Sequence, residues 1–208
     1  MFRKFINHEK GITGLETAII LIAFVVVAAV FAYTALSAGL FSTQKGQEAV
    51  YSGLKEARST LELRGGVVAT ANETGSTGRV QQISFVVANV LGGEAIDFAE
   101  PAGGAGGVCT GDDHKVVINY IDENQTKNDL WWEVTKLGNA DDDYLLENNE
   151  KFKITVGSTG AEGNLINALT TDLNVNTKFS LVIQTPVGAV LEIERTIPAY
   201  MDTIMNLR

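Results

Sequence analysis

The sequence predicts an α+β chain: one long N-terminal apolar helix followed by an antiparallel β-sandwich. Three observations carry this reading. Thr17 to Phe41 is a run of twenty-five residues without a formal charge. From Gly66 onward the pattern changes to short stretches rich in β-branched and aromatic residues, separated by Gly, Asn and Asp. The charge divides at the same place. Residues 1–64 hold seven basic and five acidic side chains, a net of +2, while residues 65–208 hold nine basic and twenty acidic, a net of −11.

The 208 residues suit one domain of ordinary size plus an appendage. A net charge of −9 argues against a nucleic-acid partner, which needs a basic face to displace counterions. One cysteine excludes an internal disulfide and any multi-Cys zinc site, and two histidines leave little for metal or general-base chemistry. A typical enzyme is not expected.

The apolar run, at about 1.5 Å per residue, makes a helix of roughly 37 Å, enough to cross a hydrocarbon core of about 30 Å. In front of it stands MFRKFINHEKG, where Arg3, Lys4 and Lys10 outweigh Glu9. Such a leader stays in the cytoplasm while the run enters the bilayer. A secretory signal has an apolar core of only about 7–15 residues, so the run is too long for one, whereas a permanent anchor fits its length. The stretch Lys10-Gly11-Ile12-Thr13-Gly14-Leu15-Glu16 resembles a class III (prepilin-type) signal. That resemblance implies a prepilin-type signal peptidase cutting between Gly11 and Ile12, which puts Glu16 fifth in the mature chain. The helix would then be inserted in the membrane only transiently, before extraction into an assembly. The expected organisation is a cleaved leader at 1–11, a core helix at 12–64 and an outer domain at 65–208.

Glu16 has two readings. Thr13-x-x-Glu16 fits a capping box, and the helix dipole favours a carboxylate in the first turn. By resemblance to type IV pilins, the carboxylate registers a subunit against its neighbour. Along the run, Ala28-x-x-x-Ala32 and Ala35-x-x-x-Gly39 have spacings that let helix backbones approach closely. Beyond it, Val50, Leu54, Ala57 and Leu61 are spaced four, three and four apart, as one apolar stripe with Lys55, Glu56, Arg58 and Glu62 mostly off it. A single helix is thus expected from about Thr13 to about Arg64, with Gly65-Gly66 as its C-cap. A membrane anchor has no need of the amphipathic half. A subunit whose helices bundle in a fibre core does.

The strands expected downstream are Val67–Thr70, Val80–Val90, Lys115–Ile121, Trp131–Leu137, Lys151–Val156, Phe179–Thr185 and Ala189–Thr196. Phe152, Ile154 and Val156 share one face of their strand; Leu191 and Ile193 oppose Val190, Glu192 and Glu194. Pro186-Val187-Gly188 is a tight turn between the last two strands. Glu162–Leu173 reads as a short helix or a loop. With almost no helical pattern between strands, an antiparallel sandwich follows.

The prepilin-type leader, the helix GLETAIILIAFVVVAAVFAYTALSAG, the motif Leu145–Val156 (LLENNEKFKITV) and the ending Pro186–Pro198 (PVGAVLEIERTIP) together resemble archaeal flagellin, or archaellin. The likeness is strong over residues 1 to about 60 and good over 144–200; residues 66–143 match only in general character. Asn148-Asn149 stands where family members often carry Pro-Gly, both pairs being turn formers. The resemblance implies a homo-oligomeric helical filament, with N-terminal helices in its core and an immunoglobulin-like sandwich outside. It also implies partners in the archaellum assembly and motor machinery, an extracellular filament at the cell surface, and swimming. The alternative is an archaeal type IV pilin or adhesin used for attachment. No cofactor is expected.

Other residues have local readings. Asn72-Glu73-Thr74 and Asn124-Gln125-Thr126 are N-glycosylation sequons. Asp141, Asp142 and Asp143, like Asp112-Asp113, could supply oxygen ligands to Ca²⁺, although neither run has EF-hand spacing. Ala102–Val108 (AGGAGGV) lacks the lysine of a phosphate loop and reads as a flexible loop. Cys109 and His114 suggest a thiol nucleophile but show no third orienting group. Trp131 and Trp132, adjacent in a strand, should point to opposite faces, one into the core and the other toward a subunit contact.

Overall fold

The computed structural model describes residues 9–58, 60–90, 93–158 and 164–207. The predicted leader therefore lies, except for the backbone of its last three residues, outside the described residues. Helix α1 spans Glu9–Arg58, fifty residues. It is uninterrupted because none of the three prolines falls in it and its composition is dominated by Ala, Leu, Ile, Val and Phe. Two expectations about its ends are corrected. The backbone of Glu9–Gly11 is already helical, so Thr13 lies inside the helix and not at its N-cap position, where a capping box is made. At the other end the helix stops six residues early. Leu61–Leu63 is strand β1, and Leu61 is buried in the core of the outer domain, not on a helical stripe. The period of three to four that ran through Leu61 was overridden by what a β-sheet offered that side chain, full burial and a backbone partner. Gly65, at φ 97°, turns β1 into β2 where a helix cap was expected.

The outer domain is a two-sheet antiparallel sandwich. After β1 come β2 (Val67–Ala71), β3 (Val80–Asn89), β4 (Ile96–Asp97), β5 (Val117–Asp122), β6 (Thr126–Lys127), β7 (Trp132–Leu137), β8 (Leu145–Leu146), β9 (Lys151–Val156), β10 (Lys178–Gln184), β11 (Leu191–Thr196) and β12 (Ile204–Leu207). The larger sheet runs β12-β2-β3-β9-β7, with β1 also paired to β3; the smaller runs β11-β10-β5-β6; β4 and β8 form a short separate pair. Strand β3 organises the larger sheet. Its first half pairs with β2 (Val68 opposite Ser84), its last residues with β1 (Leu61 opposite Asn89), and its other edge with β9 (Phe85 opposite Ile154).

Alternation decides which faces meet. Ile83, Phe85 and Val87 of β3, with Phe152, Ile154 and Val156 of β9, are buried in one cluster with Ile118 and Tyr120 of β5 and Phe179, Leu181 and Ile183 of β10. Ile193 is buried while Val190 is exposed, as the β10–β11 hairpin pattern required. Phe98, from the loop after β4, stands edge-on to Trp132 and Phe152, both centroids at 5.9 Å. Glu162–Leu173 contains a single turn of helix, α2 (Leu165–Ala168), capped by the Asn164 side chain accepting from Ile166 N–H at 2.7 Å.

The sequence missed β1, β4, β6, β8 and β12, all of four residues or fewer. It also mistook the Gly-rich stretch. Far from a loose loop, it is a packed turn around a 3₁₀ helix at Ala105–Gly107, where a Cβ on Gly104 would meet the Trp131 indole at 2.9 Å and one on Gly107 would meet Ala168 Cβ at 2.5 Å. Both glycines have positive φ, 119° and 73°, so they are required twice over. Trp132 fills the core and Trp131 lies partly buried over this turn.

Candidate functional site: an unpartnered apolar helix

Every Leu, Ile, Val, Phe and Tyr from Leu15 to Phe41 is exposed, with Phe24 at 72% and Leu36 at 74% of full accessibility. None of the apolar window between Gly14 and Lys55 is buried within the described residues. Its polar hydroxyls are turned inward on the helix itself: Thr34 Oγ1 donates to Phe31 C=O at 2.9 Å and Thr43 Oγ1 to Gly39 C=O at 2.8 Å. That is how a helix presents a surface without polar demands to an apolar medium. Burying one Leu, Ile, Val or Phe side chain is worth roughly 1.5–3 kcal/mol. Fourteen of them stand between Leu15 and Phe41, so contact with water costs tens of kcal/mol on that scale. The helix requires either lipid or equally apolar neighbours.

One face of the helix carries mostly small side chains. Ala28, Ala32, Ala35, Gly39, Thr43, Gly46 and Val50 recur at steps of three and four, which on a continuous helix is one narrow stripe. A Cβ added at Gly39 or Gly46 meets nothing within 4 Å in the chain itself. Val50 and Leu54 remain exposed on α1, whereas Leu61, expected beside them, does not belong to this surface. Glu16 is exposed and immediately precedes the uncharged run.

The other predicted sites fall on the outer domain. Asn72 lies in the β2–β3 turn and Asn124 in the β5–β6 turn, both exposed; Asn72 Oδ1 accepts from Arg79 N–H at 2.9 Å. Asp141, Asp142 and Asp143, the Ca²⁺ candidates, lie together in the β7–β8 connection. These carboxylates do not converge among the described residues, and two are occupied locally: Asp141 Oδ1 accepts from Asp143 N–H at 3.0 Å, and Asp143 Oδ1 from Leu145 N–H at 2.8 Å. The same loop is held by the buried Glu150, whose two oxygens accept from Asp141 N–H at 3.1 Å and Glu147 N–H at 3.0 Å.

Cys109 and His114 do have a third member, which sequence reasoning missed. Asp129 Oδ1 lies 2.8 Å from His114 Nε2, and donor atoms of Cys109, His114 and Asp129 all lie within 4.8 Å of one another. Burial, reinforced by the Asp129 carboxylate, pushes the Cys109 thiol up to about 12. It is therefore no thiolate nucleophile at neutral pH. The available signal was Asn128-Asp129 between two strands, a turn pair in which Asp129 takes φ 56°.

Three comparisons place these features among known proteins. Residues 11–195 match the family model for archaeal-type flagellin. The chain is 37% identical to probable flagellin 1 of Archaeoglobus fulgidus, covering 100% of this chain and 99% of that one. It is 38% identical to probable flagellin 2 of the same organism, over 94% and 93%. Among solved structures it is similar to the archaeal flagellum of Methanospirillum hungatei strain JF1, at 30% identity and a TM-score of 0.59, covering 93% and 98% of the two chains. The crystal structure of flagellin FlaB1 from Methanocaldococcus jannaschii shares the fold, with a TM-score of 0.53 at 13% identity over 71% and 95%.

Proposed function

We propose a function from the premise that this chain belongs to the archaeal-type flagellin family: it is a structural subunit of the archaeal flagellar filament. The observation that carries this reading is the fifty-residue helix whose apolar surface stands exposed among the described residues. Identical helices supply what it needs, and a head-to-tail contact that does not close generates an open helical fibre.

The finer steps follow the same logic. A prepilin-type peptidase cuts between Gly11 and Ile12 on the cytoplasmic side, and α1 stays in the bilayer until it is drawn into the growing fibre. There the face of Ala28, Ala32, Ala35 and Gly39, continued by Val50 and Leu54, packs against neighbouring copies. Glu16 sets register, with the new Ile12 amine of an adjacent subunit as its natural counter-charge. The acidic sandwich forms the outer wall at the cell surface, where Asn72 and Asn124 are reachable for glycosylation, and a motor turns the filament for swimming. The chain's role is mechanical, not catalytic. The type IV pilin reading is weaker, because the flagellin family match continues through the sandwich to residue 195.

N-terminal sequencing and intact mass of filaments sheared from cells test this together. Ile12 is expected first, and any mass beyond the bare processed chain is expected at Asn72 or Asn124. Filaments beginning at Met1, or a deletion strain that swims as the parent does, would overturn the reading.

A further inference from the structure

The Cys109–His114–Asp129 cluster is unused by filament assembly as described above, and its construction is that of a ligand set. The three residues come from two segments separated by the β5–β6 hairpin: Cys109 and His114 from the connection into β5, Asp129 from the turn between β6 and β7. Backbone bonds fix the two segments together. Cys109 N–H donates to Asp129 C=O at 2.9 Å, and Leu130 N–H to Ile118 C=O at 2.8 Å. Asp129 N–H donates to the Asn119 side chain at 2.9 Å. The carboxylate is thus presented from a left-handed residue whose position is held on both sides.

The protein's own bonds do not exhaust the imidazole. The His114 side chain is only 4% exposed, Nε2 faces Asp129, and Nδ1 is buried with no hydrogen-bond partner among the described residues. The Cys109 thiol makes a long bond, 3.3 Å, to Leu130 C=O and also faces the Asp129 carboxylate. Asp129, by contrast, is 36% exposed, which leaves an entry path and room for a solvent ligand.

We propose that Cys109, His114 and Asp129 form a three-ligand site for Zn²⁺ that fastens the connection into β5 to the β6–β7 turn. A sulfur, an imidazole nitrogen and a carboxylate oxygen are the donor set of a borderline-soft tetrahedral ion, with water as fourth ligand; Ca²⁺ takes six or more oxygens and is not suited. Binding exchanges the thiol S–H for an S–Zn bond and releases the proton to solvent. In a chain with one cysteine, which has no disulfide to tie these loops, the ion supplies a cross-link of the same kind.

The test uses the full chain in detergent micelles, stripped with EDTA and titrated with Co²⁺ as a spectroscopic stand-in for Zn²⁺; no readout depends on filament formation. A single Co²⁺ per chain is expected, with thiolate-to-cobalt charge transfer in the near ultraviolet and the visible bands of a tetrahedral ion. Zn²⁺ displaces it and excess Ca²⁺ does not. Cys109→Ser, a near-isosteric change, abolishes the charge-transfer band, while Asp129→Asn and His114→Ala weaken Co²⁺ binding by more than about tenfold. Zn²⁺ raises the melting temperature of the outer domain in the parent chain and leaves that of Cys109→Ser where it was. The proposal is overturned if saturating Co²⁺ gives no charge-transfer band, if Cys109→Ser binds as tightly as the parent, or if Ca²⁺ competes. Should His114→Ala fail to fold, Cys109→Ser and Asp129→Asn decide the question.

Discussion

Replacing Gly39 by alanine separates what α1 needs as a helix from what it needs as a packing surface. In the single chain the substitution is favourable. A Cβ at this position meets no atom within 4 Å, and the bond from Thr43 Oγ1 to the Gly39 carbonyl does not involve the α-carbon. Glycine in a helix interior costs about 1 kcal/mol relative to alanine, so Gly39→Ala should stabilise the isolated helix by about that amount. In the filament the sign reverses. If a neighbouring backbone approaches over Gly39, an added methyl overpacks the contact, at roughly 1–3 kcal/mol per subunit. Because every subunit repeats the contact, the loss recurs along the whole fibre. Circular dichroism in micelles should therefore show helix content equal to or above the parent's, while filaments dissociate at lower temperature and lower denaturant. Mutant filaments as stable as the parent's, or more stable, would refute close packing at this face.

Three further predictions follow from other parts of the molecule. Glu16→Ala should leave processing at Gly11 and the fold of the outer domain unchanged while filament yield falls; normal filaments by electron microscopy would remove the registry role. Phe98→Ala, which takes away a fully buried ring contacting Trp132 and Phe152, should destabilise the sandwich by about 3–5 kcal/mol in denaturant titrations followed by tryptophan fluorescence. Acid should weaken the outer domain through Asp97 and Asp122. The hydrogen bond from Lys115 lowers Asp97; burial raises Asp122, but bonds from Tyr120, Asn124 and Gln125 outweigh it and leave a net lowering from 3.8. A depressed carboxylate contributes stability above its unfolded value, and that contribution is lost as pH falls through the folded one. Melting temperature should thus decline below about pH 4, less steeply in Asp122→Asn.

The apolar rod, the switch to strands near Gly66 and the long strands β3, β9, β10 and β11 were legible in the sequence. Each is written in a local period: a nearly unbroken apolar run over Thr17–Phe41 for α1, every second side chain for Lys151–Val156. The turn chemistry was legible too, since Asn149, standing where the family often has glycine, takes φ 70°. What escaped was set by contacts between residues remote along the chain. Leu61 belongs to a helical stripe by spacing alone and to the sandwich by energy, because β3 was there to pair with it. Asp129 completes the cluster with Cys109 and His114 only once the β6–β7 turn has been bonded beside the connection into β5. Glycines 104 and 107 looked like slack and are close contacts, visible only when Trp131 and Ala168 arrive against them. Periodicity encodes which face of a segment shuns water; which other segment covers that face, and in what register, is decided by packing and has no local signature to read.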